Sequence, residues 1–342
     1  MHRVMKNNSA LLIAEIGINH NGDMDLARLM IEKAAEAGAD AVKFQNYLTD
    51  DFLSDHSLTY TYRSQGDQVT ESQYTMFKRC ELSEKNLVFL KESCDQAGVL
   101  FFSTPSNTEG VDELSRLGVP YLKNGSDYLG HLPLIRHMAR SGIPTILSTG
   151  MALESEIAEA VTAFKDSEGK ELTLMVCTSL YPTPKEHVNL RRIPSLAKKF
   201  RCNVGFSDHT NGWEAAVAAV CLGATMIEKH FTSDRNLPGP DQWFSSDPSE
   251  FSELVRRVRD VELMMGSPEL GLTAAESSAR EEYRLSCVAI RDLQHNHVVT
   301  ERDVAFRRPA AGIPPSQAER LIGRKLRRDI CKGEPFKMDD VL

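Results

Sequence analysis

Eight short runs rich in apolar and β-branched residues recur along the chain, at 11–17, 41–45, 99–104, 121–126, 145–149, 172–179, 203–209 and 225–231. Each ends in polar residues rather than in a hairpin turn. The stretches between them, such as 25–35, place apolar residues at helical spacing. Strand and helix alternating eight times implies parallel pairing with right-handed crossovers. Count and length fit a closed (β/α)8 TIM barrel. An open doubly wound sheet is the competing α/β architecture. It normally carries a glycine-rich dinucleotide loop after its first strand, and Gly17-Ile18-Asn19-His20-Asn21-Gly22 lacks the G-x-G-x-x-G spacing. Gly38, Gly98, Gly118 and Gly142 stand just before the second to fifth runs, where a left-handed residue ends a helix.

The texture changes after the eighth run. Residues 248–265 read as a closing helix with Phe251, Leu254, Val255, Val258, Val261 and Met265 on one side, so the catalytic barrel is expected to span 1–266. Residues 267–284 are polar and alanine-rich and read as a linker. From 285 to 342 very short alternating runs are interrupted by the turn signals Arg308-Pro309, Gly312-Ile313-Pro314-Pro315 and Lys332-Gly333. A mostly-β module this small is marginal by itself and is expected to dock on a barrel.

With 342 residues, 41% of them hydrophobic and 26% charged, the chain suits one large folded domain plus a small one. A net charge of -8 without a block of like charges argues against nucleic acid as the main ligand, but leaves room for a local basic pocket that takes a phosphorylated small molecule. Seven scattered cysteines with no CxxC pair read as reduced thiols. The apolar run Ala10 to Ile13 is too short for a signal sequence or a membrane span, so the expected location is the cytoplasm, with no membrane partner.

Catalytic groups of such barrels sit at strand C-termini, so the residues closing the runs collect into one hypothetical cavity. Glu15 and Asn19 follow the first run, Lys43 and Gln45 end the second, Ser103 and Thr104 the third, and Lys123 and Ser126 the fourth. Thr178, Ser179 and Tyr181 follow the sixth, and Ser207, His209 and His230 complete the ring. Two lysines with Thr104, Ser126, Ser179 and Ser207 describe a phosphate cradle, in which cationic heads neutralise the anion and hydroxyls donate to its oxygens. His209 and His230, if they close neighbouring strands, reach one cavity and hold a divalent cation from one side. Two unrelated histidines are the competing reading. Glu15 is a carboxylate in an apolar strand end, where it must find a partner or raise its pKa. It is a candidate base or water-positioning group, or the ion-pair partner of Lys43 on the next strand, and the two roles are compatible.

A set of ordered motifs runs through the chain: Ala14-Glu15-Ile16-Gly17-Ile18-Asn19-His20-Asn21-Gly22, Val42-Lys43-Phe44-Gln45, Phe102-Ser103-Thr104-Pro105 and Leu147-Ser148-Thr149-Gly150-Met151. Further on come Cys177-Thr178-Ser179-Leu180-Tyr181-Pro182, Ser207-Asp208-His209-Thr210, Ile227-Glu228-Lys229-His230-Phe231 and Gly239-Pro240-Asp241. Together they resemble the sialic acid (N-acetylneuraminate) synthase family of bacterial nonulosonate synthases, over nearly the whole chain. Phe306-Arg307-Arg308-Pro309-Ala310-Ala311-Gly312-Ile313 resembles that family's C-terminal antifreeze-like (SAF) domain, a β-clip. The resemblance implies a metal-dependent condensation of phosphoenolpyruvate with an N-acyl-hexosamine, N-acetylmannosamine or a relative, giving a nine-carbon acid and phosphate. It implies manganese on His209 and His230, with magnesium or cobalt as alternatives. It further implies phosphoenolpyruvate on Lys43, Thr104, Lys123, Ser126, Ser179 and Ser207, and water on Glu15. Gln45, Tyr181 and Asp241 would contact the sugar or order the site, with Asp241 counted beside Glu15 and the histidines as catalytic. A domain-swapped homodimer is implied too, in which Arg308, or failing that Arg307, reaches the partner's sugar.

Two departures bear on the substrate. Where the family usually reads K-I-x-S-x-E, this chain has Lys123-Asn124-Gly125-Ser126-Asp127-Tyr128, so Tyr128, with Asp127 beside it, stands where a glutamate contacts the sugar. Ser179 stands where asparagine is common. A tyrosine packs on a 6-deoxy or N-acylated hexose better than it holds several hydroxyls, which makes a legionaminic- or pseudaminic-type product from a 2,4-diacetamido-6-deoxyhexose the alternative. A Schiff-base aldolase acting through Lys43 or Lys123, a phosphosugar isomerase and a non-catalytic carbohydrate- or ice-binding protein are rivals of other classes.

Overall fold

The computed structural model describes residues 9–342. Up to Gly266 the elements are, in order, β1 (Leu11–Gly17), α1 (Met24–Glu36), β2 (Ala41–Asn46), α2 (Thr49–Phe52), β3 (Thr59–Ser64), β4 (Asp67–Ser72), α3 (Gln73–Arg79) and α4 (Glu84–Ala97). They continue with β5 (Leu100–Pro105), α5 (Thr108–Leu117), β6 (Leu122–Asn124), α6 (Leu132–Arg140), β7 (Thr145–Ser148), α7 (Glu154–Asp166) and β8 (Leu172–Val176). The last are α8 (Arg192–Phe200), β9 (Asn203–Asp208), α9 (Glu214–Cys221), β10 (Met226–His230) and α10 (Pro248–Met265). Of these ten strands all but β3 and β4 close into one parallel barrel in the order β1-β10-β9-β8-β7-β6-β5-β2. The eight expected runs are these eight strands, and the open-sheet alternative is excluded.

Local chemistry sets the helix boundaries. Asp23 caps α1 by accepting from Asp25 N and Leu26 N, and Asp247 caps α10 by accepting from Glu250 N with Pro248 in the first turn. Gly98 and Gly118 end α4 and α5 at φ +75° and +68°, a region where a Cβ is penalised. The two-residue period of a strand divides the side chains. On β2, Val42 and Phe44 join the core between barrel and helices, while Lys43 and Gln45 line the central cavity.

The structure departs from the sequence reading in three places. Between β2 and α4 the chain builds an antiparallel hairpin, β3 and β4, turned by Gln65 and Gly66, both at positive φ. Thr59-Tyr60-Thr61-Tyr62 carried the signal, but Gln-Gly is a weaker turn marker than Asn-Gly. On α10, Phe251, Leu254 and Val258 are buried whereas Met265 is 56% exposed, because the last turn has no barrel surface beneath it. Within the stretch read as a linker, α11 (Ser277–Tyr283) forms a short helix.

The second unit begins at Ser267 and pairs β11 (Ser286–Ala289) antiparallel with β12 (Val304–Arg307) around a small core that includes Cys287, Leu293, Val299, Leu321, Leu326 and Phe336. Its polar hub is Asp303, fully buried, which accepts from Thr300 N and Oγ1 at 2.9 and 2.7 Å, His297 Nε2 at 2.9 Å and Arg291 Nη2 at 2.7 Å. Burial pushes this carboxyl up, but those donors outweigh it and hold the group well below its ordinary 3.8. Asp303→Ala should therefore destabilise the unit by about 3 kcal/mol in denaturant titration. Because the folded-state pKa is depressed, the wild-type contribution should be complete above about pH 5 and fade as pH falls below 4 toward the folded value. A variant equally stable at pH 7 would remove the hub role. Among the described residues no helix is long and apolar enough to cross a membrane.

Candidate active site

A cavity of about 470 Å³ opens at the C-terminal ends of the barrel strands. It is lined by Glu15, Lys43, Gln45, Thr104, Lys123, Ser126, Asp127, Tyr128, Ser179, Tyr181, Ser207, His209 and His230, which the sequence named. Asp241 does not line it but stands behind His230, its Oδ2 3.7 Å from His230 Nδ1. Burial, then the nearby Glu15 charge, push the Asp241 carboxyl up to about 7. Arg307 and Arg308 are exposed residues of the second unit, and the Arg308 guanidinium lies 5.1 Å above the Tyr283 ring.

Three polar residues expected at the rim turn away, Ser103 because consecutive strand residues cannot face the same side, and Thr178 and Asn19, which follow their strands, because their side chains are spent on loop partners. Ser103 is fully buried in the outer layer while Thr104 faces in. Thr178 donates its hydroxyl to the His187 carbonyl. Asn19 donates to the Phe231 carbonyl and to Ser245 Oγ, which in turn donates to the Asp241 carbonyl, so it braces the Asp241 loop from behind.

Parallel register sets Glu15 beside Lys43, and Lys43 Nζ lies 2.8 Å from Glu15 Oε2 and 2.9 Å from Thr104 Oγ1. The other Glu15 oxygen accepts from Gln45 Nε2 at 2.9 Å. Lys123 donates to Ser148 Oγ at 2.5 Å. Between the two ammonium groups sits Glu228, 3.9 Å from Lys43 and 3.8 Å from Lys123, accepting from Ser207 Oγ at 2.9 Å. Sequence reasoning quoted Glu228 without a role, yet it precedes His230 by two residues and so had to face inward. Burial raises Glu15 above its ordinary value, with Lys43 opposing and Glu228 reinforcing the rise. Burial also pushes Glu228 up, but Lys123 and Lys43 prevail and leave it below its ordinary value. The same burial thus moves the two carboxyls in opposite directions, because Glu228 answers two ammonium groups and Glu15 chiefly one.

The imidazoles of His209 and His230 converge with ring centroids 5.6 Å apart. Burial lowers both pKa values, and for His230 the neighbouring His209 lowers it further, so both rings are neutral at pH 7. His209 Nδ1 lies 2.8 Å from the Thr178 carbonyl, which can only accept, so Nδ1 carries the hydrogen and Nε2 presents a lone pair. Ser207 Oγ is 3.2 Å from that Nε2, but its one proton is committed to Glu228. An acceptor left without a donor on a buried neutral imidazole fits a divalent cation. His230 Nδ1, on the side of Asp241, is buried without a hydrogen bond, with Asp241 Oδ2 3.7 Å away. Among the described residues no group of three or more His, Cys, Asp or Glu side chains is placed to hold a metal ion, so any cation here would rest on these two imidazoles and non-protein ligands.

Two further features were not foreseen. Gly150 separates the expected phosphate hydroxyls: a Cβ there would meet Ser179 Oγ at 2.5 Å, Ser126 Oγ at 2.7 Å and Cys177 Sγ at 2.9 Å. Gly150→Ala should accordingly raise the KM for the anionic substrate about tenfold or more by displacing both hydroxyls; an unchanged KM would disconnect Ser126 and Ser179 from anion binding. The second is an aromatic wall of Tyr47, Phe52 and Phe77, packed edge to face at 5.4, 5.7 and 5.1 Å, with Tyr128 on the same cavity. Tyr47 spends its hydroxyl on the Phe77 carbonyl at 3.1 Å, so this wall offers substrate mainly apolar surface.

A model of the NeuB family matches residues 30–269, and a model of the SAF domain matches 286–342. The chain is 37% identical over 329 residues to an N,N'-diacetyllegionaminic acid synthase of Legionella pneumophila, covering 95% of this chain and 92% of that one. It is 34% identical over 330 residues to a pseudaminic acid synthase of Campylobacter jejuni, covering 96% of each. Among solved structures it resembles an N-acetylneuraminic acid synthetase of Leptospira borgpetersenii, with a TM-score of 0.72, 33% identity, and coverage of 82% of this chain and 95% of that one.

Proposed function

Since the chain belongs to the NeuB family and carries a SAF domain, we propose that it condenses phosphoenolpyruvate with an N-acyl-hexosamine to a nine-carbon acid, releasing phosphate. The observation that carries this reading is the pairing, in one cavity, of a two-lysine anion cradle with two neutral, converging imidazoles. Lys43 and Lys123 with Thr104, Ser126, Ser179 and Ser207 bind the substrate's phosphate and carboxylate. His209 and His230 would hold a divalent cation, manganese first, which when bound supplies Lewis-acid polarisation of the sugar aldehyde. The methylene carbon of phosphoenolpyruvate bonds to the aldehyde carbon, water adds at C2, and the C2–O bond breaks as phosphate leaves. Glu15, raised by burial, takes the proton of that water, while Gln45 holds its second oxygen in place. Tyr181, its ring 4.2 Å from His209, covers the imidazole on the open side, and Asp241 buttresses His230.

For the sugar, the aromatic wall with Asp127 and Tyr128 favours a 2,4-diacetamido-6-deoxyhexose over N-acetylmannosamine, since a hydroxyl against the rings would lose its bonds to water. The relatives include legionaminic and pseudaminic acid synthases as well as an N-acetylneuraminic acid synthetase of similar identity, so the preference rests on the cavity wall. A Schiff-base route has less support: amine nucleophiles are activated beside cations or in apolar pockets, and both lysines here lie beside carboxylates. The deciding experiment is phosphate release from phosphoenolpyruvate with each candidate hexosamine, with mass analysis of the product. Release with none of them would sink the proposal. The proposed assembly is a domain-swapped homodimer in which Arg308 meets the partner's sugar. Arg308→Ala should then raise the hexosamine KM about tenfold and leave the phosphoenolpyruvate KM unchanged; an unaltered hexosamine KM would withdraw that role.

A further inference from the structure

Lys229 and Asp208 are buried beside the histidines but take no part in lining the cavity. Register pairs them directly across β10 and β9, and alternation turns both away from the inward face that carries Ser207, His209, Glu228 and His230. The Lys229 ammonium lies 2.9 Å from Asp208 Oδ2 and donates to the Thr210 carbonyl at 2.7 Å. Asp208 Oδ1 accepts from the Thr210 N–H at 2.9 Å and from its hydroxyl at 2.7 Å. The residues gripped, Asp208 and Thr210, flank His209, and the residue that grips them immediately precedes His230. One side chain therefore ties the Asp208 carboxylate and the Thr210 carbonyl, on either side of one imidazole, to the strand that carries the other. With side chains 5% and 0% exposed, water does not compete for these bonds.

We infer that the Asp208–Lys229–Thr210 network is a positioning device that sets the separation of His209 and His230, and with it cation affinity, without touching cation or substrate. This rests on the reading of the two histidines as ligands. For stability alone an apolar pair of similar volume serves as well as a buried ion pair or better. It cannot supply the directional bonds to Thr210. Outer-shell changes of this kind cost metal sites about 10–100-fold in affinity.

The test uses the full chain, with manganese binding followed by electron paramagnetic resonance and melting temperature by calorimetry. Lys229→Met strands Asp208 without its cation and should lower both melting temperature and manganese affinity, the latter about tenfold or more. Adding Asp208→Leu should restore most of the melting temperature while leaving the affinity loss in place. Wild-type affinity in Lys229→Met, or recovery of both quantities in the double variant, overturns the inference. Should Lys229→Met fail to fold, the double variant decides by itself. Failure of the ligand reading shows separately and earlier, as wild-type protein whose manganese binding is absent or unaltered by His209→Ala.

Discussion

Replacing His209 or His230 by alanine should lower turnover about a thousandfold or more and abolish stimulation by added manganese, with the fold retained. The magnitude follows from what a Lewis acid supplies to developing negative charge, several kcal/mol of transition-state stabilisation, with each tenfold in rate worth about 1.4 kcal/mol. Both rings are neutral because burial opposes the imidazolium. His209 is additionally oriented by the Thr178 carbonyl, which leaves Nε2 free to bind. Exhaustive removal of metal from the wild-type protein should reproduce the loss, and readdition of manganese should reverse it only where both histidines are present. A demetallated sample running at full speed, or either variant retaining full turnover, contradicts the assignment.

Glu15→Gln should lower kcat by about 10²–10⁴-fold, the usual worth of a positioned base. The amide is nearly isosteric and its oxygen can still accept from Gln45, while its NH2 then meets the Lys43 ammonium donor to donor and turns that lysine toward the cavity. The amide cannot take a proton from water. Removing a carboxylate 2.8 Å from Lys43 also leaves that ammonium freer to meet the substrate anion, so the KM for phosphoenolpyruvate should stay level or fall while kcat collapses. This opposite movement separates a base from a residue that merely holds the lysine in place. If kcat stays within threefold of wild type, Glu15 does not handle the water.

The barrel was legible because its signal is repeated: each of the eight apolar runs became a strand, and Pro248–Met265 became α10 with the expected buried residues over its first three turns. Much of the cavity was legible for a related reason. Once the strands are parallel and closed, their C-terminal residues share one rim. What escaped was the facing of individual side chains. Ser103 and Thr104 are equally polar and adjacent, and only the pleat decides that the threonine meets Lys43 while the serine is buried outside the cavity. Glu228 passed without a role because its importance lies in distances to two lysines far apart in sequence. The aromatic wall was invisible for the same reason, since Tyr47 and Phe52 follow β2 while Phe77 comes from α3, and the two segments meet only on folding.

Sequence by itself thus determined the repeating strand and helix pattern and the residue types at the barrel rim, which depend on local periodicity and composition, and, through the resemblance of its ordered motifs, the family. Tertiary structure alone decided the shared burial of Glu15, Lys43 and Glu228, the unclaimed lone pair on His209 and the clamp of Lys229 about it. Proton affinity and coordination depend on desolvation and on separations of a few ångström between residues from different strands, and those quantities exist only once the barrel has closed.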